Sequence, residues 1–105
     1  MDAKSALATL LSRHIGADNG LSALAIAREL AIEPRQVRAL VTLLREEGIA
    51  VCGHPRTGYF VAQDAAELEL CCQFLRSRAM HSLVIEAALR RVPLPDLLGQ
   101  LKLKT

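Results

Sequence analysis

The chain has no tryptophan and few aromatic residues of any kind, only Tyr59, Phe60 and Phe74, so its core must be mostly aliphatic. It has no apolar run approaching the roughly 18 residues that a bilayer span requires, which excludes a membrane-spanning helix. Cysteine is sparse. Cys52, Cys71 and Cys72 are odd in number and follow no metal-ligand or disulfide-framework spacing. Free thiols in a reducing cytoplasm are therefore expected. The neighbours Cys71 and Cys72 would point about 100° apart on a helix, so they cannot both be ordinary core. There is no Gly-rich phosphate loop, no nucleophile elbow and no HExxH zinc motif. The acids are scattered, so no enzyme activity, cofactor or small-molecule ligand is expected. A metal site from Cys52, His54 and Cys71 or Cys72 is conceivable, but separate core thiols and a loop histidine are the simpler reading. His14 and His81 read as cap or interface residues. The amino-terminal stretch MDAKSALATLLSRH is acidic at Asp2 and has no small-residue cleavage pattern, so a signal peptide is not expected.

Excess charge of one sign is also missing. The net charge is +2. Residues 1–63 carry seven basic and six acidic side chains, and residues 64–105 carry six and five. A dedicated nucleic-acid binder usually shows a stronger imbalance, so any such function must rest on where the charges sit.

What is present is a globular composition, with 51% apolar and 23% charged residues in 105. That length supports one domain with a single core. A helix-and-hairpin region over 1–63 and a helical dimerisation or packing segment over 64–105 are the expected parts. Residues 3–14 predict a first helix with Leu7, Leu10 and Leu11 as its apolar stripe, ended by Gly16. Asn19-Gly20 marks a turn, and Leu21 can add a short strand. Ser22 is placed to cap a helix from Ala23 to Leu30 that buries Leu24, Ile26 or Ala27, and Leu30. Pro34 suits the first position of the next helix and Gly48 its exit. Ile49 to Cys52 and Tyr59 to Ala62 read as strands of a hairpin, with residues 53–58 as its loop. Asp64 and Glu67 form a capping-box-like pair opening a helix with no breaker before Pro93. A short amphipathic piece follows Pro95-Asp96. The fold class is mainly α with a small β-hairpin, that is, α+β.

The helix after Pro34 has two distinct faces. Val37, Leu40, Val41 and Leu44 share one arc, while Arg35, Arg38, Thr42 and Arg45 line up roughly opposite. Gln36 flanks that line and Ala39 is a small gap within it. Arginine can bind guanine O6 and N7 in bidentate fashion, glutamine can do the same for adenine, and a small residue permits close approach. Arg45, at the far end, is expected to meet a phosphate. His54, Arg56 and Thr57 at the hairpin tip suit phosphate or minor-groove contact. Read alone, the stripe is more simply the solvated face of an amphipathic helix, and Glu46 and Glu47 nearby are unhelpful to phosphate approach. The preceding turn and the following hairpin favour DNA contact.

Residues 21–62 together resemble a winged helix-turn-helix. They are most similar to the amino-terminal domain of proteins of the biotin-operon-repressor type. The resemblance lies in a leucine-rich helix, a turn, a recognition helix ending in R-x-x-G, and a hairpin ending in G-Y. Leu30, Val37, Val41, Leu44, Arg45, Gly48, Gly58 and Tyr59 occupy those places. It implies that Pro34 to Leu44 form the recognition helix and His54 to Thr57 the wing. No ligase or effector domain follows, so biotin-related activity is set aside. A long helix and a tail follow instead, as in small bacterial or prophage-encoded winged-helix proteins. The resemblance thus implies sequence-specific binding of double-stranded DNA by a small transcriptional regulator. A winged-helix protein–protein adaptor, using Leu43 and the leucines of the long helix, is the alternative.

On a helical wheel residues 65–92 show two apolar faces. One holds Leu68, Cys71, Cys72, Leu75, Ala79, Leu83 and Leu89; the other holds Leu70, Phe74, Val84, Ile85, Ala88 and Val92. Glu69, Gln73, Arg76 and Arg91 occupy a narrow strip between them. A surface helix needs only one apolar face. A homodimer interface through Leu70, Phe74, Val84, Ile85 and Ala88 is therefore expected. The other possibility is a break near Arg76 to His81, with the helix folding back on itself.

Overall fold

The first helix starts where Asp2 lets it start. In the computed structural model, which describes residues 2–102, the Asp2 carboxylate accepts a hydrogen bond of 2.8 Å from the Ser5 N–H. This caps α1, Ala3–Leu11. The helix ends three residues earlier than the sequence suggests. Arg13 and His14 donate to Leu10 and Leu11, three residues back, and the chain then peels away into β pairing. The Gly16 N–H donates to the Val61 carbonyl and the Val61 N–H to that of His14, each at 2.9 Å. Ile15 is thereby bridged in parallel to Val61, a pairing that a longer α1 would forbid.

A single 3-10 turn, Ala17–Asn19, leads to α2, Ala23–Leu30. The Ser22 hydroxyl caps α2 as expected, accepting from the Ala25 N–H at 3.1 Å. α2 buries Ile26 and Ala27 and half-buries Leu30, but Leu24 is 59% exposed. An eight-residue helix has room for only one narrow buried line, and Leu24 falls outside it. Ala31, with φ of 55°, turns the chain. α3 then runs over Pro34–Glu46, with proline in its first turn. Its exit is Gly48 at φ of +86°. A Cβ there would meet nothing within 4 Å, so backbone angle alone calls for glycine.

The hairpin strands have the expected length but are displaced toward the tip, by two residues on the first strand and one on the second, so that Ile49, Ala50 and Ala62 fall outside them. β1 is Val51–His54 and β2 is Gly58–Val61, antiparallel with Val51 opposite Val61, Cys52 opposite Phe60, Gly53 opposite Tyr59 and His54 opposite Gly58. Pairing extends to His54 because Gly53 leaves room for the Tyr59 ring: a Cβ there would sit 2.8 Å from two ring carbons. Only Pro55, Arg56 and Thr57 remain as loop. On its other edge β2 meets Leu21, which exchanges two 2.8 Å hydrogen bonds with Tyr59. The expected short strand at Leu21 is thus a single bridge. The core gathers Leu7, Leu10, Leu11, Ile26, Ala27, Val37, Val41, Leu44 and Val51. The members of this cluster are aliphatic, with Tyr59 packed against them and Phe60 buried on the hairpin.

α4, Ala65–Arg90, is one unbroken helix, about 39 Å long at 1.5 Å per residue. No turn interrupts Arg76 to His81, so the expected alternative of a fold-back there is overturned. The Asp64 carboxylate accepts from the Glu67 N–H at 2.9 Å. Glu67 in turn accepts from the N–H groups of Gln63 and Ala17 at 3.0 and 2.9 Å. Among the described residues no helix is long and apolar enough to cross a membrane.

The chain divides into two compact units, Met1–Cys71 and Cys72–Thr105. The opening turns of α4 belong with the three-helix unit, to which Glu67 is tied. In the second unit Arg91, at φ of 56°, closes α4. The Val92 N–H bonds to the Ala87 carbonyl at 3.0 Å, and α5 follows over Leu94–Gln100. The apolar α4 residues withdrawn from solvent there are Met80, Leu83 and Ala87, and on α5 Leu97 and Leu98 are buried. Spacings of three and four put Met80, Leu83 and Ala87 on one line. That line runs through the strip expected to be polar, a correction to the wheel.

Candidate nucleic-acid interface

α3 is held from behind by Val37, Val41 and Leu44, each no more than 1% exposed. This fixes what points outward: Arg35, Gln36, Arg38, Ala39 and Thr42 are all exposed. Among the described residues neither Arg35 nor Arg38 has an ion-pair partner. Three residues apart, they project from one side of the helix a turn apart. Each offers only donors in a planar fork, suited to carbonyl, ring-nitrogen or phosphate acceptors.

The other polar groups of the stripe are partly engaged. The Gln36 Oε1 atom accepts from the Glu33 N–H at 2.7 Å, so Gln36 caps its own helix. One lone pair of that oxygen is thereby committed to the helix start, which ties down the side chain expected to read adenine. The Thr42 hydroxyl donates to the Arg38 carbonyl at 3.1 Å, leaving its lone pairs outward.

Arg45 departs furthest from expectation. Its Nε donates to the Val51 carbonyl at 2.7 Å, and Nη2 lies 3.6 Å from where a Gly53 Cβ would stand. The side chain is half-buried and braces α3 against β1. It is a strut rather than an open phosphate contact. A second tie was invisible in the sequence: Lys4 on α1 forms an ion pair with Glu47 at the end of α3. That pair offsets one of the acids that would repel a phosphate.

At the hairpin tip the Arg56 N–H donates to His54 Nδ1 at 3.1 Å, which places the neutral ring's proton on Nε2. The Thr57 N–H donates to the His54 carbonyl at 3.1 Å. The Thr57 hydroxyl donates to the Gly58 carbonyl at 3.0 Å, so it is turned into the loop and not outward. The Arg56 side chain is exposed and, among the described residues, has no ion-pair partner. The loop's position is set by close packing. A Cβ on Gly20 would stand 1.8 Å from the Thr57 carbonyl oxygen, and one on Gly58, at φ of +75°, 2.6 Å from the Leu21 backbone. Glycine at both places lets the hairpin seat against the segment that enters α2.

The residues expected at a subunit interface, Leu70, Phe74, Val84, Ile85 and Ala88, are all exposed on α4. Leu68, Leu75 and Leu89 are exposed as well, Leu89 to 80%. Arg78 stacks its guanidinium 6.0 Å from the Phe74 ring centre. No known protein family, curated protein or solved structure matches the chain.

Proposed function

We propose that this chain is a winged helix-turn-helix protein that binds double-stranded DNA in a sequence-specific way. It acts as a small transcriptional regulator, of bacterial or prophage type. The observation that carries this reading is the pair Arg35 and Arg38, exposed and without ion-pair partners among the described residues, on the helix face opposite a fully buried apolar line. Arg35 and Arg38 read base edges, Ala39 permits close approach, and Thr42 assists through its lone pairs. Arg56 meets the sugar-phosphate backbone from the hairpin, with His54 beside it. The protein works as a homodimer through the exposed face Leu70, Phe74, Val84, Ile85 and Ala88 of α4. Two modest heads on one axis compensate for a net charge of only +2.

The exposure of Leu43, 47%, and of Leu24 favours a second reading, a protein–protein adaptor built on the same fold. Salt separates the two. Selection from a pool of random duplexes, followed by affinity measurement at several salt concentrations, should enrich one sequence and give a log–log slope of about −0.9 per phosphate contact. Arg38→Ala should weaken that complex about 5- to 150-fold, the equivalent of about 1–3 kcal/mol for a bidentate base contact. No enrichment together with a flat salt response would leave the adaptor reading standing.

A further inference from the structure

β1 and the second turn of α4 bring two thiols together. Cys52 is 2% exposed, and its Sγ lies 3.9 Å from the carbonyl oxygens of both Ala50 and Glu67. Cys71 lies one helical turn beyond Glu67 on the same face of α4, which sets its side chain beside the Cys52 thiol that reaches the Glu67 carbonyl. The two differ in access, since Cys71 is half-buried while Cys72, next to it, is exposed. Adjacent helical positions diverge by about 100°, so Cys72 points away from the pair. Both partner thiols lie within the unit Met1–Cys71.

We infer that Cys52 and Cys71 are a dithiol pair that small-molecule disulfides convert to a reversible intrachain disulfide, latching β1 to α4. The Cys71 thiolate attacks one sulfur of oxidised glutathione and releases one glutathione thiolate, leaving a mixed disulfide on Cys71. The Cys52 thiolate then attacks Cys71 Sγ and displaces the second glutathione. Two protein thiols lose two protons and two electrons, and one glutathione disulfide becomes two thiols. The second step is the slow one. Burial, and then the neighbouring Cys71 thiol, push the Cys52 thiol up to about 12, so its thiolate is rare near neutrality. Proximity compensates, because the attacking sulfur needs no long search.

The latch is independent of any DNA contact, and so is its test. The full-length chain is incubated with oxidised glutathione, its remaining thiols are alkylated, and intact and trypsin-cleaved masses are recorded. One cysteine outside the link, Cys72, is expected in place of three free thiols, alkylated or carrying glutathione, with the peptide bearing Cys52 joined to the one bearing Cys71 and Cys72. Closing a loop of roughly 20 residues should raise the melting temperature by about 13–26 °C, and dithiothreitol should reverse the shift. Cys72→Ser should keep both the link and the shift, and Cys71→Ser should lose both. Three alkylatable thiols after prolonged incubation, a reaction that stops at the mixed disulfide, or a link through Cys72 or between chains would each overturn the inference.

Discussion

Arginine at position 45 should matter for stability, and arginine at position 38 should not. Arg45→Ala removes a charge-assisted hydrogen bond to the Val51 carbonyl, a class worth about 1.5–3 kcal/mol when buried. The side chain is only half-buried, so water can partly replace it, and a cost of about 1–2 kcal/mol is the better figure. For a chain of about 100 residues each kcal/mol moves the midpoint by roughly 4–8 °C, so Arg45→Ala should melt about 5–15 °C below the parent. Arg38→Ala touches no partner side chain, and the Thr42 bond to the Arg38 carbonyl is a backbone contact that survives. Surface substitutions of this kind stay within about 0.5 kcal/mol.

Thermal unfolding followed by circular dichroism, with a urea titration as a second axis, measures both variants. The ordering is what matters. Two equal midpoints would refute the strut, because Arg45 would then be as dispensable to the fold as a solvated side chain. Arg45→Lys sharpens the test. Lysine keeps the charge but has no Nε–H fork to reach the carbonyl, so it should recover little of the lost stability.

Three further outcomes follow from the same contacts. Gly58→Ala forces a Cβ to 2.6 Å from the Leu21 backbone at φ of +75°; it should cost more than about 1 kcal/mol, and midpoints in urea will show it. Leu7→Ala empties a site with 0% exposure and should cost about 2–5 kcal/mol, enough to leave a detectable unfolded population by amide exchange. The Asp2 carboxyl is held below its usual 3.8 first by the Ser5 N–H it accepts from. A lowered folded value means the cap contributes fully above 3.8 and is lost as pH falls through the folded value. Helicity of α1 should therefore decline in acid, and Asp2→Asn, itself a good cap, should flatten that dependence.

Much of this fold could be read from spacing and punctuation. Pro34 and Gly48 bracket α3 at one residue's error, and the period of Val37, Val41 and Leu44 fixes which side is buried. Ser22, Asp64 and Glu67 announce helix starts because capping is a local matter. What could not be read is whatever depends on a side chain crossing between elements. The hairpin pairs two residues further out than expected because Tyr59 lays its ring over Gly53, and no property of either residue alone says so. Arg45 lies on the right helical line to look free, yet a strand six residues later claims its Nε. Gln36 stands where it could reach a base, yet its oxygen accepts from the Glu33 N–H at the start of its own helix. The candidate interface accordingly contracts from nine expected contacts to a tighter set around Arg35, Arg38, Ala39, Thr42 and Arg56, with His54 beside the last.

The proposed dimer and the proposed DNA contact rest on different physics. α3 presents cations whose worth falls steeply with salt. α4 presents Leu70, Phe74, Val84 and Ile85 to solvent, 67%, 38%, 46% and 48% exposed, so burial by a second copy adds about half of the roughly 1.5–3 kcal/mol that each full burial is worth. Four such side chains per chain, counted on both partners, supply roughly 6–12 kcal/mol, of the same order as the roughly 4–15 kcal/mol that association costs. That balance strengthens as salt rises, whereas phosphate contact weakens. A regulator of this design should therefore release its DNA in high salt while remaining paired. Light scattering and affinity measured on one sample across a salt series would show two curves moving in opposite directions. A mass that falls to that of the single chain under the same salt that releases DNA would mean that charge, and not the aliphatic face of α4, holds the two copies together.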